Sequence, residues 1–140
     1  MVKKLEELCT KLYEITKIED IGYHQISNGK LNPIYKMNTS QLSAEKWKEV
    51  HSQKTVYVKN DPVLTEIVST KKAIVMSDID DADEVTKNTY SLFGINSIFV
   101  IPSIKNDGVD GIVVIASIGT PHNFTDEEVS QCIKLVDKYL

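Results

Sequence analysis

The densest group of chemically capable side chains is acidic. Asp78, Asp80, Asp81, Asp83 and Glu84 crowd into one short segment. Hard cations such as calcium and magnesium take several oxygen ligands. The spacing here is not that of a dedicated calcium loop, and the glycine such a loop needs is absent. The simpler reading is a loop followed by the N-terminal charges of a helix, whose dipole favours them. Asp78 opens this group and can cap a turn. His24, His51 and His122 are widely spaced, with no carboxylate or cysteine at ligand spacing. A zinc site needs several convergent nitrogen or sulfur ligands, so isolated histidines and no metal are expected. The two cysteines, Cys9 and Cys132, fall in helical patterns and read as small buried hydrophobes. No nucleophile elbow, Cys/His pairing or phosphate-binding glycine loop is present. No catalytic residue and no cofactor is predicted.

The remaining candidates are aromatic. Trp47, Tyr57, Tyr90 and Phe93 lie in the middle of the chain. Binding sites mix apolar walls with a few polar groups, and the two tyrosines with Ser97 could supply hydroxyls. Ordinary packing uses the same residues.

The elements that must position these groups are legible from periodicity. Met1, Leu5, Leu8, Leu12 and Ile15 form one helical stripe over residues 2–17, widened by Cys9 and Tyr13. Residues 21–27 and Leu31 to Met37 read as strands joined by the hairpin turn Asn28-Gly29, with Pro33 favouring a sheet edge. Ser43-Ala44-Glu45 opens a short helix carrying Trp47 and Val50, and Thr55 to Val58 is extended. Asp61 and Pro62 mark the cap and first position of a helix ending near Lys71-Lys72. Ala73 to Met76 is a short strand. Val85, Thr89, Leu92 and Phe93 continue at helical spacing up to the C-cap Gly94. Ile95 to Ile101 and Gly111 to Ile118 are strands about the turn Asn106-Asp107-Gly108, with the paired part of the first ending before Pro102. Thr125 and Glu128 form a capping box, Phe124 and Val129 a hydrophobic staple, and Val129, Ile133, Val136 and Leu140 the last stripe.

The chain has 140 residues, with 41% hydrophobic and 26% charged residues, so it is expected to be one domain spanning 1–140. Such a domain buries roughly 70% of the surface its unfolded chain exposes, without metal or disulfide staples. The net charge of −4 offers no grip on a phosphate backbone, so nucleic acid is not an expected partner. No apolar run approaches the ~18 residues of a membrane span, and no signal peptide is recognisable. The expected location is the cytoplasm.

Ile98 to Ile101 and Ile112 to Ala116 are continuous apolar runs, which imply a sheet covered on both faces. The terminal helices can cover one face. Residues 38–93, a string of short helices and loops, must cover the other, and such a lid is the natural place for a cavity.

From Asp61 to Tyr139 the sequence resembles a GAF domain. The resemblance is carried by Val68 to Asp78, by Phe93 to Pro102, by Asn106-Asp107-Gly108 with Gly111 to Val114, and by Phe124 to Glu128. It implies an α+β fold: a five- or six-stranded antiparallel sheet, terminal helices on one face, and a small-molecule site on the other. It also implies a regulatory sensor that dimerises through its terminal helices and acts on an effector domain or partner protein. Some members reduce free methionine sulfoxide with cysteines beside the pocket, or attach a bilin through one. Here both cysteines belong to the terminal helices, so a non-enzymatic role is expected. The signature of cyclic-nucleotide-binding members has no convincing placement.

The site so implied would bind an anion or small metabolite and draw on Trp47, Tyr57, Ile67, Met76, Asp78, Tyr90, Phe93, Ser97 and Phe99. The competing reading is an interaction or dimerisation module whose interior Trp47, Tyr57 and Phe93 fill. A second helical stripe of Cys9, Tyr13, Leu135 and Tyr139 is the expected homodimer surface.

Overall fold

The computed structural model describes residues 2–37, 39, 43–53, 55–91 and 94–140, the side chains of Thr89 and Ser91 excepted. The expected contributions of Met1, Leu92 and Phe93 lie outside the described residues. Helix α1 (Val2–Thr16) leads into the hairpin β1 (Asp20–Ser27) and β2 (Lys30–Lys36). Three short helices follow, α2 (Ala44–Gln53), α3 (Pro62–Thr70) and α4 (Glu84–Ser91), with the three-residue strand β3 (Ile74–Met76) between the last two. The long hairpin β4 (Ile95–Lys105) and β5 (Gly108–Ile118) precedes α5 (Asp126–Tyr139). The five strands form one antiparallel sheet in the order β2-β1-β5-β4-β3.

Local chemistry explains the boundaries. Asn28 and Gly29 both take positive φ, as do Asn106 and Asp107, the backbone that tight hairpins require. Asp61 caps α3 by accepting from the Val63 and Leu64 amides, with Pro62 at the first helical position. Thr125 and Glu128 form the reciprocal capping box of α5. Pro33 lies on the edge strand β2. Contrary to expectation, β4 does not stop pairing at Ile101 but continues through Pro102, which pairs in register with Ile112. On its other side β3 pairs only with Ile98 to Val100. Pro102 therefore lies where that edge of β4 has no ladder for a missing N–H to break.

The apolar runs of the central hairpin do alternate, but between two cores. Phe99, Ile101, Val113 and Ile115 face α1 and α5, joining Leu5, Leu8, Leu12, Phe124, Cys132 and Val136. Ile98, Val100, Ile112 and Ala116 face the other way and pack with Val63, Leu64, Ile67 and Ile79. Both faces are thus covered. Phe99 and Ile115 are fully buried beneath the terminal helices, and Ile98 is fully buried beneath the lid, where Ile67 of α3 joins it.

Candidate functional site

Between the lid and the sheet lies a cavity of about 290 Å³. Its floor is Gly22 and His24 of β1 with Ile112, Val114, Ala116 and Ile118 of β5. Helix α2 supplies Trp47, Val50 and His51. The following segment adds Val56, Tyr57, Asn60 and Asp61, α3 adds Leu64, and α4 adds Val85 and Tyr90. Gly22 matters sterically: a Cβ there would stand 3.2 Å from Cζ2 of Trp47, so its absence lets the indole rest on β1.

The principal polar feature is a histidine pair. Nε2 of His24 and Nε2 of His51 are 3.2 Å apart. The two rings meet edge-on, and each also packs edge-on against Trp47, at centroid distances of 4.8 and 5.4 Å. His24 is buried, and desolvation, reinforced by repulsion from His51, pushes its pKa down to about 3. Burial also lowers that of His51. Nδ1 of His24 is buried without a hydrogen-bond partner. A bare nitrogen there costs less than an orphaned N–H. This assigns the proton to Nε2, which donates to His51.

Two further groups at the cavity have partners within the protein. Lys36 Nζ donates to Asp20 Oδ1 at 2.8 Å and to the Met37 carbonyl, and Thr39 Oγ1 donates to the same aspartate oxygen. Asp61 accepts from the Val63 amide at 2.9 Å and the Leu64 amide at 3.3 Å. Its carboxyl is nonetheless pushed up, chiefly by burial. The Tyr90 hydroxyl is held protonated, first by desolvation and then by the charge of Asp61.

Of the residues singled out from sequence, Trp47, Tyr57 and Tyr90 are brought together at the cavity. Ile67 and Met76 belong to the apolar layer between sheet and lid rather than to the cavity wall. Ser97 is buried, but its Oγ donates to the Ser77 carbonyl at 2.6 Å and accepts from the His122 amide at 2.8 Å, tying two loops to β4. Asp78 is exposed and accepts from the Asp80 amide, capping a three-residue turn. Phe99 projects to the opposite face, 5.4 Å from the ring of Phe124, because it is one residue out of phase with Ile98 and Val100. Phe93 lies outside the described residues.

The expectation of isolated histidines is corrected. β1 and α2 bring His24 and His51 into contact across 27 residues of sequence, and His122 pairs with Glu128 at 3.0 Å. No local spacing announces the first contact, which depends on how α2 docks. Among the acidic residues, Asp83 accepts from the Thr86 amide and hydroxyl at the start of α4. Among the described residues no group of three or more histidine, cysteine or acidic side chains could hold a metal ion.

No family model matches the sequence, and no curated protein matches it at a significant level. Solved structures do match. A GAF domain/HD domain protein from Geobacter sulfurreducens superimposes with a TM-score of 0.81 at 16% identity, over 98% of this chain and 87% of that one. The blue-light-absorbing form of the PixJ GAF domain from Thermosynechococcus elongatus gives a TM-score of 0.75 at 14% identity, over 99% and 86% of the two chains. A type II free methionine-R-sulfoxide reductase from Thermoplasma acidophilum gives 0.72 at 14% identity, over 99% and 88%. The fold is that of a GAF domain. On this GAF fold the thiols Cys9 and Cys132 are free and buried in the core under the terminal helices, on the sheet face away from the cavity. Burial pushes the pKa of each up to about 12, which disfavours the nucleophilic thiolate.

Proposed function

We propose that this chain is a ligand-sensing regulatory module that holds a small molecule between the sheet and the lid of residues 47–90. The observation that supports this reading is the cavity itself. It has mainly apolar walls, a few polar groups near Trp47 and Tyr90, and walls drawn from β1, β5, α2, α3 and α4. Elements so distant in sequence would feel one occupant together. A ligand preferring one arrangement of the lid over another would bias the sheet and, through it, α1 and α5.

The terminal helices are the proposed output. Tyr13, Ile15, Ile133, Leu135 and Tyr139 are only half-buried on α1 and α5, and a second copy of the chain would cover them. The module would act in the cytoplasm on an attached effector domain or a partner protein. Among the described residues no helix is long and apolar enough to cross a membrane.

Trp47 is the only tryptophan of the chain and stands in the cavity wall, so its fluorescence reports occupancy directly. Native mass spectrometry of freshly purified protein should show a retained small molecule. Gentle unfolding and refolding should remove it and change the Trp47 emission. Neither an adduct nor any change of emission or melting temperature across a metabolite panel would remove the support for a sensor.

A further inference from the structure

The charges, shape and size of the cavity restrict what it can hold; this inference rests on reading the cavity as a ligand site and deepens that reading. The carboxylates and the ammonium at the described wall already have partners. Asp20 Oδ1 and Lys36 bond each other, and Asp61 Oδ1 accepts two backbone amides. An anion entering here would lose its water with no uncommitted cation among the described residues to receive it, and a cation would find only the second oxygens of carboxylates already bonded through Oδ1.

A metal ion is disfavoured by the histidines themselves. Two nitrogens 3.2 Å apart are spaced as neighbouring zinc ligands would be. Ligation through Nε2 of His24, however, would leave Nδ1 to carry the proton, and that atom is buried with no acceptor beside it.

What the wall does offer is rings. Trp47, His24 and His51 form a mutually edge-on cluster on one side, with Tyr57 and Tyr90 nearby. Ile112, Val114, Ala116 and Ile118 provide an aliphatic floor. A ring seated against such a cluster gains edge-to-face contacts in addition to burial. An apolar cavity of about 150 Å³ is enough for benzene; the volume here, about 290 Å³, accommodates about two fused rings. We infer that the cavity takes an uncharged aromatic molecule of one or two fused rings, seated over the β5 floor and against the Trp47–His24–His51 cluster. Tyr90 also lines the cavity.

The test is calorimetric titration of the purified chain near neutral pH with 2-naphthol and, separately, with 2-naphthoate, which has the same rings and adds a negative charge. Saturable one-to-one binding of 2-naphthol, at least about tenfold tighter than 2-naphthoate, is the expected result. Val114→Phe and Ala116→Leu, which fill the floor, should each weaken 2-naphthol binding by about tenfold or more while the protein still melts cooperatively. The contrast between the two naphthalenes on the unaltered chain remains decisive if either variant fails to fold. Equal or tighter binding of 2-naphthoate overturns the ligand class and leaves a sensor standing. So does failure of both probes when native mass spectrometry finds some other retained molecule. Failure of both probes with no retained molecule removes the sensor reading as well. Binding of 2-naphthol that survives in both folded variants places it outside the cavity and overturns the inference.

Discussion

At the scale of single residues, His24 couples the cavity to pH. Its folded-state pKa, about 3, lies below the ordinary value of 6.5. Between those values the unfolded chain binds the proton and the native chain does not, so stability rises with pH. The contribution is complete above about pH 6.5 and is lost as pH falls toward 3. By pH 5 the loss from His24 should amount to about 2 kcal/mol. Groups around it titrate too: His51 in the same direction, whereas burial of Asp61 opposes it. Comparison with His24→Phe isolates the term. Urea unfolding at intervals from about pH 7 to pH 5 should give a shallower pH slope for the variant. Identical slopes would mean that His24 is not held neutral. The sequence shows both histidines but not their meeting, because the contact depends on α2 laying one face onto β1.

At the scale of elements, the signals that survive from sequence to structure are those contained within one element. The start of α5 is the clearest case. Thr125 Oγ1 accepts from the Glu128 amide at 3.1 Å, while Glu128 reaches back to the Thr125 amide. Thr125→Ala should cost about 1 kcal/mol. It should also lower the thermal midpoint by a few degrees without changing ligand binding, since α5 lies on the sheet face away from the cavity. A loss of binding accompanying that small shift would show tighter coupling between α5 and the lid than packing alone provides. The terminal stripes were legible for the same reason, with one correction: Cys9 is fully interior rather than part of an outer stripe. A residue at the margin of a helical stripe goes to whichever side has a neighbour to cover it, and α5 and the sheet cover Cys9.

At the scale of the whole molecule, the design is one sheet serving two cores. The core under α1 and α5 is filled by leucines and rings such as Phe99 and Phe124. The other is built from short helices and keeps the cavity. Packing α1 and α5 on the sheet still leaves Tyr13, Leu135 and Tyr139 half-exposed. Sedimentation equilibrium at micromolar concentrations should therefore give a dimer mass, and a double substitution Leu135→Glu/Tyr139→Glu should give a folded monomer. A monomer for the unaltered chain at the highest attainable concentration would dispose of the helix-mediated dimer.

Periodicity, turn chemistry and capping are local, so the sequence alone determined the order of the main elements, the hairpin turns at Asn28-Gly29 and about Asn106-Asp107-Gly108, and the caps at Asp61 and Thr125, whereas Thr55 to Val58, read as extended, makes only an isolated bridge at Tyr57. The two continuous apolar runs also required cover on both faces. Which face each residue took was decided only by the register of β4 on β5 and β3, which sends Phe99 to the helices and Ile98 to the lid. A slip of one residue would exchange them, and nothing in a uniformly apolar run records that choice. The same holds for the cavity. Trp47, Tyr57 and Tyr90 were recognisable as candidates, but His24, His51 and the Asp20–Lys36 pair joined them only when strands and helices far apart in sequence closed around one space.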